Sequence, residues 1–299
     1  MRIPHNILNS VCFLGVKLGG GPSVGKFLPL GTGFFVGVKQ EDWDFLYLVT
    51  AKHVLDEAAR SNCNLEMRLN KRNGGYGYIT LQPPDQWLRW RDDSVDVAIL
   101  ALVVDFAIFH YEALPLQMLA TDGKLSDHAI GLGDELFTVG LFTLRTGRQR
   151  NIPIVRTGVI SALPDENEPF TDKGKPYHAY LAEMRSIGGL SGSPVFVFID
   201  RFRSVDSNLP QGRDWTYFCL GLIRGHWKLE RELSDDFVSS DVALGSNPGE
   251  TLNVGIALVV PSQYIVAILT YPKLHEMRAE FIRTRSSTNG IAVATTNPS

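Results

Sequence analysis

Residues 188–194 read Gly188-Gly189-Leu190-Ser191-Gly192-Ser193-Pro194 and run straight into the apolar stretch Val195 to Ile199. Flexible glycines flank one serine, and a proline closes the turn before a strand-like run. Such a turn can present a serine hydroxyl with its own N–H and a neighbouring N–H facing the same point, which is what acyl transfer by a hydroxyl nucleophile needs. Taken alone, the same residues read equally well as a glycine-rich β-turn. The rest of the chain decides between the two, because a serine hydroxyl is scarcely nucleophilic near neutral pH without a base.

His53 is the best candidate base. It lies in Val49-Thr50-Ala51-Lys52-His53-Val54, where an apolar strand ends and a short helix begins, so its imidazole emerges at a strand terminus. The other histidines lack such a setting: His5 and His275 lie towards the ends, His110 and His128 flank a connecting stretch, His178 starts a strand and His226 follows Arg-Gly. A lone histidine in such places is better read as surface or satisfied core. An imidazole base in turn needs a buried carboxylate to fix its tautomer. Asp96, in Ser94-Val95-Asp96-Val97-Ala98-Ile99-Leu100, opens an apolar run and must find a partner there. Asp92 and Asp93 sit in an Arg-rich turn and read as solvated.

The three stretches Thr50-Ala51-Lys52-His53, Asp96-Val97-Ala98-Ile99-Leu100 and Gly189-Leu190-Ser191-Gly192-Ser193-Pro194 resemble the catalytic motifs of chymotrypsin-like serine proteases, in that family's order of His, Asp and Ser. Gly31-Thr32-Gly33-Phe34-Phe35-Val36, Gly133-Asp134-Glu135-Leu136 with Val139-Gly140, and Thr157-Gly158-Val159-Ile160-Ser161 resemble its bacterial branches, the glutamyl-endopeptidase-like and high-temperature-requirement enzymes. Leu220-Gly221-Leu222-Ile223 and Val254 to Pro261 look like the strands that wall the substrate pocket. The likeness runs from about Val11 to Ala267. It implies a triad of His53, Asp96 and Ser191, an oxyanion hole from the amides of Gly189 and Ser191, and hydrolysis of a protein or peptide substrate with no metal or organic cofactor. Arg185, Ile223, Arg224, Gly225 and His226 fall where relatives bind substrate, although Arg185 also reads as facing solvent or pairing with Glu183 or another carboxylate.

Two positions depart from the family's pattern. Leu190 stands where digestive members carry the acidic residue that pairs with a freshly cut N-terminus, so that zymogen switch is missing. Arg224 stands where many relatives have a serine that supports the aspartate.

The fold reading agrees with the motifs. Most segments are short, rich in Val, Ile, Phe, Tyr and Leu, and punctuated by Gly, Pro, Asn or Asp, the texture of an all-β barrel protein. About a dozen strands are predicted: Val11 to Leu18, Gly33 to Val38, Phe45 to Thr50, Asn64 to Leu69, Tyr78 to Gln82, Val97 to Val103, Glu135 to Leu141, Thr157 to Leu163, His178 to Met184, Pro194 to Ile199, Thr216 to Ile223 and Val254 to Val260. We expect two antiparallel six-stranded β-barrels with the site in the cleft between them: residues 1–115 carrying the histidine and aspartate, 116–270 carrying the serine and the substrate pocket. The stretch Phe109 to Ala129 is the expected linker. A helix over Tyr271 to Arg285 and a flexible tail from Ser286 to Ser299 make up residues 271–299.

Composition excludes several other classes. At 299 residues and 44% hydrophobic, the chain buries a large core. Its 29 basic and 32 acidic residues leave a formal charge of -3, so no positive field exists to hold nucleic acid. No apolar run is long enough for a spanning helix, and no membrane partner is expected. Three widely spaced cysteines, Cys12, Cys63 and Cys219, read as reduced thiols, and with no secretion signal recognised the expected location is cytoplasmic. A protease there needs restraint, so a regulatory protein partner or a narrow substrate requirement is expected. The stretches Asp200 to Asp214 and Leu229 to Glu250 carry charge runs that suit docking, although such runs also serve as plain solvated surface. Two other functions compete. An α/β-hydrolase esterase would need a Gly-x-Ser-x-Gly elbow with the histidine last; a protease-like binding module would keep the triad without competence.

Overall fold

The computed structural model describes residues 3–19, 25–91, 94–142, 146–165, 167–172, 175–184, 190–199, 217–229 and 252–293. Its strands are β1 (Val11–Lys17), β2 (Phe27–Gln40), β3 (Trp43–Thr50), β4 (Leu65–Asn70), β5 (Tyr76–Thr80), β6 (Leu88–Arg89), β7 (Ala98–Leu102), β8 (Leu114–Pro115), β9 (Glu135–Leu141), β10 (Pro153–Ala162), β11 (Phe170–Asp172), β12 (Lys175–Tyr177), β13 (Tyr180–Met184), β14 (Pro194–Phe198), β15 (Tyr217–Leu229) and β16 (Leu252–Pro261). The helices are α1 (His5–Leu8), α2 (Lys52–Arg60), α3 (Asp122–Asp127), α4 (Ser262–Leu269) and α5 (Pro272–Val293).

Fourteen of these strands form two mainly antiparallel units, the all-β architecture expected, and β11 and β12 pair in a hairpin of their own. The second closes into a six-stranded barrel, β10-β13-β16-β15-β14-β9. The first is an eight-stranded sheet in which the order β5-β4-β1-β2-β3-β7-β6 runs between two open ends, with β8 paired in parallel to β2. Among the described residues it therefore has more strands than the six expected, and its hydrogen-bonded order ends at β5 and β6. Every one of the dozen predicted strands is present. The additions are short: β6, β8 and the hairpin β11–β12 span two or three residues each, too few for an alternation to register.

Sequence texture and packing agree for a reason that lies in the barrel. Successive residues of β9, β14 and β15 face opposite ways. Leu136, Val195, Val197, Phe218 and Leu220 fill the barrel interior, while Phe137, Val139, Phe196, Cys219 and Leu222 join the core of the first sheet. Phe137 stacks on Phe196 at 4.9 Å, with Tyr217 edge-on to both. Strands buried on both faces read as unbroken apolar runs, and one core spans both units.

The stretch read as a linker is ordered. It holds β8, a 3-10 turn at Leu116–Met118 and α3, and it is fastened to the barrel because the Ala120 amide donates to the Cys219 carbonyl at 2.8 Å. Ser262, which begins α4, donates its hydroxyl to the Ala120 carbonyl at 2.6 Å. Helix α5 continues through Val293, past the expected end at Arg285. It crosses back onto the first sheet. Phe281 meets Trp43 and Phe45 edge-on, at 5.7 and 5.9 Å, and buried Arg278 donates to Gln40, to the Tyr47 hydroxyl and to the Leu269 carbonyl. Among the described residues no helix is long and apolar enough to cross a membrane.

Candidate active site

Strand β3 ends at Thr50 and α2 starts two residues later, so His53 stands in the first turn of a helix. Ala51 at the N-cap has no side chain able to accept from the orphan amides that open a helix. Asp96 does so instead. Its Oδ1 accepts the His53 main-chain N–H at 2.9 Å, and its Oδ2 lies 2.6 Å from His53 Nδ1. One carboxylate thereby caps the helix and orients the ring. With Nδ1–H directed at Asp96, the neutral imidazole keeps its lone pair on Nε2.

Asp96 is 5% exposed, between the buried Val95 and Val97 and just ahead of β7. Burial alone would raise its affinity for a proton. The hydrogen bond from the His53 ring, the charge on that ring, the His53 amide and the Arg224 guanidinium together outweigh burial and hold the carboxyl below the usual carboxylate range. The His53 side chain is 38% exposed, so the base faces out of the structure that holds it.

Ser191 approaches from the barrel. The turn that carries it is closed by Ser193 N–H donating to the Leu190 carbonyl at 2.9 Å. Ile223 on β15 supports the turn from both sides: its carbonyl takes the Gly192 amide at 2.7 Å and its own amide donates to Ser193 at 2.9 Å. Gly192 has φ +83, where side chains are strained, and a Cβ there would collide with the Thr32 carbonyl and with Thr50 Oγ1. The same residue would stand 3.2 Å from the Ala51 amide, so the serine turn rests against the chain that leads into His53. Gly31 is a second close approach: a Cβ there would lie 2.9 Å from the Ser191 carbonyl and 2.8 Å from the Val54 side chain. The Thr32 amide donates to the Ser191 carbonyl at 2.8 Å, and the Thr32 carbonyl accepts from Thr50 Oγ1 at 2.8 Å.

Arg224 touches both parts. Its carbonyl accepts the Ser191 hydroxyl at 3.3 Å, and its Nε lies 3.8 Å from Asp96 Oδ2. Its Cζ stacks 3.6 Å over the ring of Tyr177.

Of the residues expected to bind substrate or oxyanion, Arg185 and Gly189 lie outside the described residues. Ile223 is fully buried, its side chain within the barrel and its main chain engaged by the serine turn. Gly225 and His226 lie on β15 opposite Leu258 and Ala257. Sequence reading missed Tyr177 and Thr32 as members of the site. Thr32 was within reach, since it lies in the quoted Gly31-Thr32-Gly33. Tyr177 belongs to a three-residue strand with no local signal.

The arrangement supplies an imidazole oriented through Nδ1, a carboxylate held below the usual range behind it and a serine hydroxyl on a hydrogen-bonded turn. A family model described as a trypsin-like peptidase domain matches residues 31–199, a stretch that takes in Gly31, His53, Asp96 and Ser191. No curated protein matches the chain.

Proposed function

The chain belongs to the trypsin-like peptidase domain family, whose model spans more than half of it and makes it a hydrolase of the peptidase class, and on that premise we propose that it is a serine endopeptidase using Ser191, His53 and Asp96. The observation that carries this reading is the two-point grip of Asp96 on His53, at 2.6 and 2.9 Å. In the proposed reaction, the Ser191 hydroxyl leaves the Arg224 carbonyl by rotation about χ1 and turns towards Nε2. That contact is at the long end for O–H···O, so little opposes the rotation. His53 takes the proton as Oγ attacks the scissile carbonyl, then donates it to the departing amine. Water repeats the sequence on the acyl-enzyme and releases the acid.

Asp96 orients the imidazole and stabilises the imidazolium. The developing oxyanion is assigned to the amides of Ser191 and Gly189, each such donor contributing roughly 3 kcal/mol in the transition state. The chemistry calls on no metal or organic cofactor. Gly225, His226 and Arg185 remain the proposed contacts to a polypeptide substrate, and a bacterial-type branch of the family fits the motif set. Free thiols at Cys12, Cys63 and Cys219 favour a reducing, cytoplasmic setting, where a regulatory partner or narrow specificity restrains cleavage.

A fluorophosphonate probe tests the assignment. We expect covalent labelling of the native protein at Ser191, lost in Ser191→Ala and reduced to background in His53→Ala. Labelling that persists in Ser191→Ala, or none in the native protein at any pH between 5 and 10, would overturn it.

A further inference from the structure

The acyl-transfer chemistry leaves the side chain of Arg224 without a task, although the fold takes trouble to place it. In the register of β15 on β16, Ile223 pairs with Val259 and Gly225 with Leu258, so Arg224 is the extra residue of a β-bulge. A bulge breaks the alternation of side chains and re-aims one of them. Here the guanidinium is turned onto the Tyr177 ring at 3.6 Å, with Nε 3.8 Å from the same Asp96 oxygen that meets His53 Nδ1. Arg224 is 18% exposed at its side chain and Tyr177 is 8% exposed, so the stack is held away from bulk solvent. A planar cation on an aromatic face keeps one orientation, which a flexible ammonium would not.

Resting on the reading of Ser191 and His53 as nucleophile and base, we propose that Arg224 is a positioning residue for the His53–Asp96 pair, its guanidinium held by the bulge and by Tyr177 so that the carboxylate keeps one orientation and one charge state. The substrate contact expected of Arg224 is replaced by this role. The charged groups that bear on Asp96 among the described residues are His53 from α2 and Arg224 from β15. Lys52 and Asp56 share α2 with His53, and Asp56 faces Arg89 of β6 at 3.8 Å. Removing the cation from this set strengthens proton binding at Asp96 and leaves the carboxylate free to turn away from the His53 ring. A merely structural arginine would lower the amount of folded protein and leave the labelling rate of the folded fraction where it was.

The experiment follows two readouts in the native protein, Arg224→Met, Arg224→Lys, Tyr177→Phe and Tyr177→Leu: the rate of fluorophosphonate labelling of Ser191, and the proton resonance of His53 Nδ1–H by NMR, which reports its hydrogen bond to Asp96. In Arg224→Met we expect that resonance to move and labelling at neutral pH to slow about tenfold. Tyr177→Leu should shift in the direction of Arg224→Met, and Tyr177→Phe, which keeps the ring, should shift less than Tyr177→Leu. Arg224→Lys should fall between the native protein and Arg224→Met, the charge kept and the stack lost. An Nδ1–H resonance in Arg224→Met that coincides with the native one overturns the proposal, whether or not Ser191 reacts. If Arg224→Met does not fold, Tyr177→Leu carries the same comparison, and an unmoved resonance there overturns it equally. A native protein that never labels, with an Nδ1–H resonance that still moves in Arg224→Met, would sink the reading of Ser191 and uphold that of Arg224.

Discussion

The amide of Thr32 donates to the carbonyl of Ser191 at 2.8 Å, so the main chain of the proposed nucleophile is fastened to the first sheet as well as to the barrel that bears it. Thr32 is wholly buried, and its Oγ1 accepts the Leu141 amide of β9 at 3.2 Å. Thr32→Val keeps the shape and removes that acceptor. The stranded N–H should destabilise the protein by about 1–3 kcal/mol in urea denaturation, and fluorophosphonate labelling of Ser191 should slow several-fold. A variant as stable and as reactive as the native protein would mean the junction tolerates slack.

Gly192 admits no side chain. Its φ of +83 and the collision of any Cβ with Thr32 and Thr50 both oppose substitution. Gly192→Ala should lose on the order of 2–4 kcal/mol of stability, and the folded fraction should fail to label, because the Ser191 turn has to back away from α2.

The depressed carboxyl of Asp96 links stability to pH in one direction. Its contribution is present above the unfolded-state value, about 3.9, and is lost as pH falls through the lower folded value. Urea midpoints of the native protein and Asp96→Asn should therefore differ by a steady amount above about pH 5 and converge below about pH 4. Labelling of Asp96→Asn should drop by up to about ten-thousand-fold, the imidazole having lost its tautomer.

Burial acts on Cys12 and Cys219 in the opposite sense. It holds the Cys219 thiol protonated up to about 12 and that of Cys12 higher still, against a weaker lowering by their contacts to Gly221 and Gly33. An unfolded chain loses these protons near pH 8.5–9, so it binds fewer protons than the folded one, and stability falls as pH rises beyond that point. The loss should approach about 1.4 kcal/mol per pH unit for each thiol between roughly pH 10 and 11, and Cys12→Ala should reduce the slope by one thiol's share.

Arg278 is 5% exposed and spends its three contacts on Gln40, Tyr47 and the Leu269 carbonyl. Arg278→Met leaves those groups dry and unpaired. Chemical denaturation should register a loss of about 2–4 kcal/mol, whereas the labelling rate of the folded fraction should stay at the native value.

What could be read from the sequence follows from how far each signal reaches. Glu135 to Leu141 was placed to the residue as β9 because its apolar run is continuous and its start is marked by Gly133 and Asp134. The setting of His53 was legible because a strand, a short loop and a helix are all local features. The helix α4 was not. Ser262 to Leu269 is rich in Tyr, Ile and Val, which favour strands, yet burial of Ile265 and Leu269 against the common core decides for a helix. Arg224 was placed beside Asp96 by likeness alone. Its direction depends on a one-residue slip between β15 and β16, and no reading of β15 by itself contains that slip.

The return of α5 to the first sheet sets an order on the birth of the molecule. Trp43, Phe45 and Tyr47 are made early, yet the residues that cover them, Arg278 and Phe281, leave the ribosome only after the whole barrel has been synthesised. Throughout that interval the half bearing His53 and Asp96 lacks its cover, while the half bearing Ser191 is still arriving. Trp43 and Phe45 therefore stay without their partner ring on the growing chain until Phe281 emerges.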